Sequence, residues 1–318
     1  DFRSEQRVLI PVGGLIIAHD HLELGRVTFR RITDELIERT VQGVVGSFPV
    51  EAGEGESTSA RAYDRGKVEE ALRECEVVAE FVTVGECSRA FQRGRSETER
   101  ALDLLRFAEP FVLRQGERTR IGLPGVWGAE FTTLIALSDD GSTAWTGVFS
   151  EPLRPFELSP AVHGRLGGAR VFELSALIQK SAPTELEQRI LAAVQWSARA
   201  QRQDESWFRL LCYVAALESL LNPHDRPVRM GVSEGVALLV GGSCTAERKH
   251  ARDFIARMYD LRSKVAHGSA AIIMKSDLAM LCGAVGSTVS AVLDVRERFG
   301  TQRGLDEWLS DRRLGAPL

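Results

Sequence analysis

Cysteine is scarce and scattered: Cys75, Cys87, Cys212, Cys244 and Cys282 are odd in number and never form a C-x-x-C pair. That spacing argues against a zinc knuckle and against a disulfide framework, so a reducing cytoplasm is the expected compartment. Long hydrophobic runs are missing too. No stretch reads as the roughly 18 consecutive apolar residues that span a bilayer, and no signal-peptide pattern opens the chain, so no membrane partner is expected. Nor is there an excess of positive charge. With a formal net charge of −4, nucleic acid would have to be met by a local patch, not by a global basic field. Neither G-x-x-x-x-G-K-S/T nor a strand-to-helix G-x-G-x-x-G occurs, so no ATP or dinucleotide cofactor is indicated. The G-x-S-x-G elbow and H-E-x-x-H are also absent.

What remains is a chain of 318 residues, 44% hydrophobic and 26% charged, long enough for two domains with a substantial core. The expected class is α+β. Residues 7–17 and 23–32 are rich in β-branched residues around His19-Asp20-His21, which predicts a hairpin. Thr33 then caps a short helix, and residues 51–61, small and acidic, read as a loop. A strand over 76–84 leads into an arginine-bearing helix over 88–107. Two further strands flank the turn Asp139-Asp140-Gly141-Ser142. This alternation, without regular βαβ spacing, favours antiparallel pairing.

From about residue 181 the strand signal stops. Thr184 and Glu187 form a T-x-x-E capping box. Asp204, Ser233, Thr245 and Ser276 are the expected starts of four more helices; Asn222-Pro223 and Gly300 are expected stops. The predicted organisation is therefore an N-terminal α+β region over 1–180, a bundle of helices over 181–300, and a tail with a short helix over 301–318.

One stretch of the bundle carries chemistry: "MYDLRSKVAHGS", residues 258–269. Basic residues in a last turn followed by glycine are an ordinary helix ending. Arg262, however, follows Ile255 by seven residues and Met258 by four, on the apolar face of its helix. A guanidinium there cannot shed its charge. Leu211, Ala215 and Glu218 share one face of an earlier helix, which turns a carboxylate inward as well. Opposite charges so placed are expected to pair, with Glu218 orienting Arg262.

"LLCYVAALESLL" followed some forty residues later by "MYDLRSKVAHGS" resembles the Apea-like branch of the HEPN family. Its signature, R-x(4–6)-H at the end of a helix, is met by Arg262-Ser263-Lys264-Val265-Ala266-His267 at the shortest spacing. Where the family often has Asn, Asp or His after the arginine, this chain has Ser263. The similarity covers residues 184–300. The resemblance implies a helical, metal-independent endoribonuclease of antiviral defence or toxin systems, acting on RNA as a homodimer in which two motifs meet in one cleft. It implies Arg262 and His267 as catalytic residues, with Glu218, Tyr259, Ser263 and Lys264 supporting them, and no metal or other cofactor. The chemistry suits these residues. The 2′-hydroxyl of RNA is a built-in nucleophile, histidine can take or give its proton near neutral pH, and arginine binds phosphate oxygens in a fork.

Two other readings stay open: an inactive HEPN-like module for dimerisation or for binding RNA or protein, and a regulatory subunit for a separately encoded partner. His19 and His21 could share a strand face as metal ligands, but a polar hairpin break is the favoured reading. Arg89, Arg93, Arg95, Arg100 and Arg106 interleave with acidic residues and read as a solvated helix face. Trp196 and Trp207 read as core.

Overall fold

The computed structural model describes residues 5–46, 66, 69–70, 72–114, 118–123, 132–137, 144–149, 154–222, 227–269 and 271–315. The expected loop at 51–61 and the turn at Asp139–Ser142 lie outside them. The class is α+β, with an antiparallel sheet N-terminally and helices C-terminally.

Strands Glu5–Val12 (β1), Leu15–Ile17 (β2), His21–Leu24 (β3) and Val27–Arg31 (β4) precede helix Asp34–Gly46 (α1), strand Val77–Val84 (β5) and helix Cys87–Val112 (α2). The four-stranded sheet has the order β1-β5-β4-β3, all antiparallel. Pleating decides its two faces. Val8, Ile10 and Val12 of β1 pair with Phe81, Ala79 and Val77 of β5 and are buried. Gly94 of α2 lies over that face, where an added Cβ would come within 2.9 Å of Val8. On the other face Val78 packs with Ile37, Val41 and Leu72, with Leu36 of α1 beside them. Thr33 accepts from the Leu36 amide at 3.2 Å, as a cap should.

The hairpin expected between 7–17 and 23–32 does not form. β1 pairs with the distant β5, and β2 pairs in parallel with Phe156–Leu158 (β8). The hairpin that exists joins β3 to β4 through Gly25, whose φ of 59° suits the first position of a tight turn. Thr132–Leu137 (β6) and Ala144–Phe149 (β7) pair antiparallel as expected. Arg106 is 2% exposed and bound to Asp103 at 2.7 Å, so that end of α2 is not a solvated face.

The chain divides into two compact units, residues 1–102 with 113–165 and residues 103–112 with 166–318. The division falls some fifteen residues before the expected boundary at 181, because helices Pro160–Gly168 (α3) and Val171–Gln179 (α4) precede the bundle. In the second unit, Glu185–Gln201 (α5) packs along Ser206–Leu221 (α6), and Val228–Val240 (α7) along Thr245–Ala266 (α8). Lys275–Val295 (α9) packs against α5, α6 and α7. Among the described residues α9 alone is long and apolar enough on average to meet the requirement for a membrane span, which no single uninterrupted run in the sequence signals. It buries Leu278, Leu281, Val285, Val289, Val292 and Leu293 within the unit. Gln302–Arg313 (α10) turns the expected tail into a packed helix, with Leu305 and Leu309 buried.

The capping box at Thr184 and Glu187 is present in full. Other helix starts differ. α6 begins after Glu205 rather than at Asp204, and Pro227, not Ser233, precedes α7. α8 does begin at Thr245, as expected, whereas Met274, not Ser276, precedes α9. Ser233 is buried inside its helix, where its hydroxyl donates to the Met230 carbonyl at 3.1 Å. α9 ends at Val295, five residues before Gly300. Trp207 is 44% exposed rather than core, and Trp196 is half-buried under the Arg199 guanidinium.

Candidate functional site

The C-terminus of α8 is built as a Schellman ending. Gly268 adopts φ 72°, its amide donates to the Val265 carbonyl at 3.0 Å, and the Ser269 amide donates to the Lys264 carbonyl at 2.9 Å. His267 is the last residue before that turn, held by its amide on the Ser263 carbonyl at 3.1 Å. The basic last turn is thus an ordinary helix stop, and the stop also fixes where His267 stands. The His267 and Lys264 side chains are exposed.

One turn earlier the helix lines a cavity of about 500 Å³. Tyr259, Arg262 and Ser263 face it from α8 at spacings of i, i+3 and i+4, and Glu218 and Asn222 face it from the end of α6. Val228 and Arg229, at the start of α7, and Asp260 complete the described lining. Four of the six expected site residues therefore meet in one cavity: Glu218, Tyr259, Arg262 and Ser263. Lys264 and His267 are not among the lining residues.

The electrostatics differ from expectation in one respect. Arg262 is half-buried but makes no ion pair with Glu218, and donates no hydrogen bond to a described residue. The carboxylate has a different neighbour. Tyr259 is 7% exposed, and burial pushes its phenol far above the usual range; Glu218 beside it pushes the same way, while the positive Arg262 opposes them. Among the described residues its hydroxyl makes no hydrogen bond of normal geometry, although it lies close enough to the Glu218 carboxylate to interact with it. The sequence reading missed Arg229 and Asp260, which form a two-bond fork at 3.0 and 2.9 Å on the cavity rim. The available signal was the helical stripe: Asp260 sits three residues before Ser263.

Behind the site, Arg257 grips Asp277 through two hydrogen bonds of 3.0 and 2.8 Å, tying α8 to the start of α9. That bond holds the Asp277 carboxyl below its ordinary range against the opposing effect of burial. The bundle core also holds a polar cluster, in which Gln201 donates to the Tyr213 hydroxyl at 2.7 Å and to the Cys282 sulfur at 3.5 Å. Burial raises the Cys282 thiol, so it is a packing group and not a nucleophile.

The other constellations gather less. His19 meets His163 of α3 edge-on, ring centroids 5.1 Å apart, rather than acting with His21. Among the described residues no group of three or more metal-ligating side chains occurs. Compared with protein-family models, curated proteins and solved structures, the chain matches none.

Proposed function

We propose that the C-terminal helical unit is a metal-independent endoribonuclease of the HEPN type, working as a homodimer in the cytoplasm in antiviral defence or as a toxin. The observation that carries this reading is an arginine without an ion-pair partner among the described residues, half-buried on the wall of an open polar cavity, with an exposed histidine five residues on. Packing alone gives no reason for the arginine. A guanidinium kept out of a salt bridge is available to a phosphate, where its fork supplies the charge that a pentacovalent transition state needs. His267, free to approach solvent and substrate, takes the proton from the 2′-hydroxyl or returns one to the leaving 5′-oxygen.

One motif histidine per chain cannot hold both roles at the same instant, so a second copy supplies the other. Apolar surface follows the motif in the chain: Ile272 is 85% exposed and Met274 57%, with Met280 also exposed on α9. Methionine is among the residues enriched at protein contact surfaces.

The test is purified full-length protein incubated with a total RNA pool in EDTA. Wild type is expected to give fragments ending in 2′,3′-cyclic phosphate. His267→Ala is expected to lose about 10²–10⁴-fold in rate, the usual weight of a general acid or base, while keeping its melting temperature and its dimer. Intact RNA with wild type, or undiminished cleavage by the variant, overturns the proposal.

A further inference from the structure

The cavity holds more polar equipment than phosphate binding requires. Arg262 is enough for the phosphate, yet Tyr259 and Glu218 stand side by side on the same wall. The tyrosine is more than nine-tenths buried, and its hydroxyl, beside the Glu218 carboxylate, makes no hydrogen bond of normal geometry among the described residues. A buried hydroxyl left unsatisfied is costly, and the cost is recovered when a ligand satisfies it. Glu218 is half-buried and not committed to Arg262. The wall therefore offers one neutral donor beside two anionic acceptors.

That order of groups has one complement among the bases. The Watson–Crick edge of guanine presents the O6 acceptor, then the N1–H and N2–H donors. Adenine turns an unprotonated N1 toward a carboxylate. Cytosine has a single amino donor beside an acceptor, and uracil one N–H between two carbonyls. Single-stranded RNA is read along this edge when a base is splayed out of its stack. A cavity of about 500 Å³ falls within the size range of small-ligand pockets, with room for a base and its ribose.

We propose that this cavity is a guanine-selective subsite for single-stranded RNA: Glu218 accepts from N1–H and N2–H, the Tyr259 hydroxyl donates to O6, and Arg262 holds the adjoining phosphate. The inference rests on the ribonuclease reading for its substrate, and it makes Tyr259 and Glu218 specificity residues rather than supports for Arg262. The raised tyrosine pKa keeps the phenol protonated, as a donor must be, throughout the neutral range.

The experiment is calorimetric titration of the full chain with the 5′-monophosphates of guanosine, inosine, adenosine and uridine, followed by cleavage of uridine-rich oligonucleotides carrying a single G or a single A. Guanosine monophosphate is expected to bind at least about tenfold more tightly than the adenosine or uridine compound, the discrimination of a good bidentate contact, with inosine between them. Glu218→Gln, which keeps the shape but replaces one acceptor with a donor, is expected to abolish that preference. Tyr259→Phe, which removes only the hydroxyl, is expected to weaken it severalfold without unfolding the helix. Cleavage next to the single G supports the subsite. Equal binding of the guanosine and adenosine compounds, or a preference unchanged in Glu218→Gln, overturns it. Cleavage indifferent to base overturns the guanine subsite and leaves the ribonuclease reading standing. Selective guanosine binding and G-oligonucleotide binding without cleavage supports the subsite and overturns the ribonuclease reading. Selectivity for the free nucleotide without binding of the G-containing oligonucleotide overturns RNA as its ligand.

Discussion

Replacing Arg262 with alanine separates the two uses to which a half-buried arginine can be put. If the residue were one half of a buried ion pair, its removal would strand a charge and cost about 3–5 kcal/mol. Among the described residues Arg262 has no such pair: it faces the cavity and donates no hydrogen bond. Besides the guanidinium, the substitution removes two methylenes, half-covered, at about 0.8 kcal/mol for each one fully buried, or roughly 0.8 kcal/mol in all. Relief of the partly desolvated guanidinium acts in the other direction. The net change is expected within about 1 kcal/mol, a shift of roughly 2–4 °C for a unit of this size. Turnover should respond very differently. Losing one preordered donor to a developing oxyanion costs about 10²–10³-fold. Circular dichroism melting and initial rates of cleavage, on the same preparations, read both quantities. A melting temperature lowered by more than about 8 °C would show that Arg262 is a structural tie, and unchanged cleavage would show that it does not serve the reaction. Either result refutes the reasoning.

Three further outcomes follow from the helix ends. Gly268→Ala places a side chain at φ 72°, where no neighbour lies within 4 Å, so the cost is conformational, about 1–2 kcal/mol in thermal unfolding; Gly268→Asn, which tolerates that region, should recover much of it. Thr184→Ala removes half of the capping box on α5 and is expected to cost about 0.5–2 kcal/mol in urea unfolding, without altering cleavage. Asp277→Asn should destabilise by about 1 kcal/mol, since its partner Arg257 is half exposed and the pair is screened accordingly. The Asp277 pKa is depressed in the folded state, so this stabilisation is complete above the ordinary carboxylate value near 4 and is lost as pH falls through the lower folded value. Stability curves of wild type and variant should therefore run parallel at neutral pH and converge in acid.

Legibility in the sequence follows the range of the interactions involved. The capping box at Thr184 was readable because its two hydrogen bonds join residues three apart, and the Schellman ending at Gly268 because it closes within six residues. The α5–α9 bundle was readable from its apolar stripes. The partner of β1 was not. Its mate β5 lies some seventy residues away, and nothing in "RVLIPV" distinguishes that mate from the nearer strand β4. Helix starts failed where serine or aspartate suggested a cap but the chain had already turned. Val228 begins α7 after a proline, five residues ahead of Ser233, because Pro227 has its φ preset for the turn into a helix. At the site, the residues sharing helical spacing with Arg262 were found. The Glu218–Arg262 pair was inferred from charge alone, and charge does not say how far apart two helices hold their side chains. Tyr259 took the place beside Glu218 instead.

The spacing of the motif bears on the proposed homodimer. Five residues of α-helix advance about 7.5 Å and turn about 500°, so Arg262 and His267 leave the α8 axis about 140° apart. The cavity lies between these directions, lined by Tyr259, Asp260, Arg262 and Ser263 but not by His267. His267 does not line the cavity, so its own imidazole is not placed on a phosphate seated on the Arg262 fork. Yet the histidine is exposed and carried on a rigid Schellman turn, an arrangement suited to presenting it outward. Outward is where a second copy would sit, with its own guanidinium and imidazole splayed by the same angle. In the proposed homodimer two such pairs would face each other across a phosphodiester, one histidine at the nucleophile, one at the leaving oxygen, and the arginines across the charge between. On that proposal the divergence of the two groups on one helix would become useful once the helix is paired, whereas a shorter spacing would bring both groups to one face.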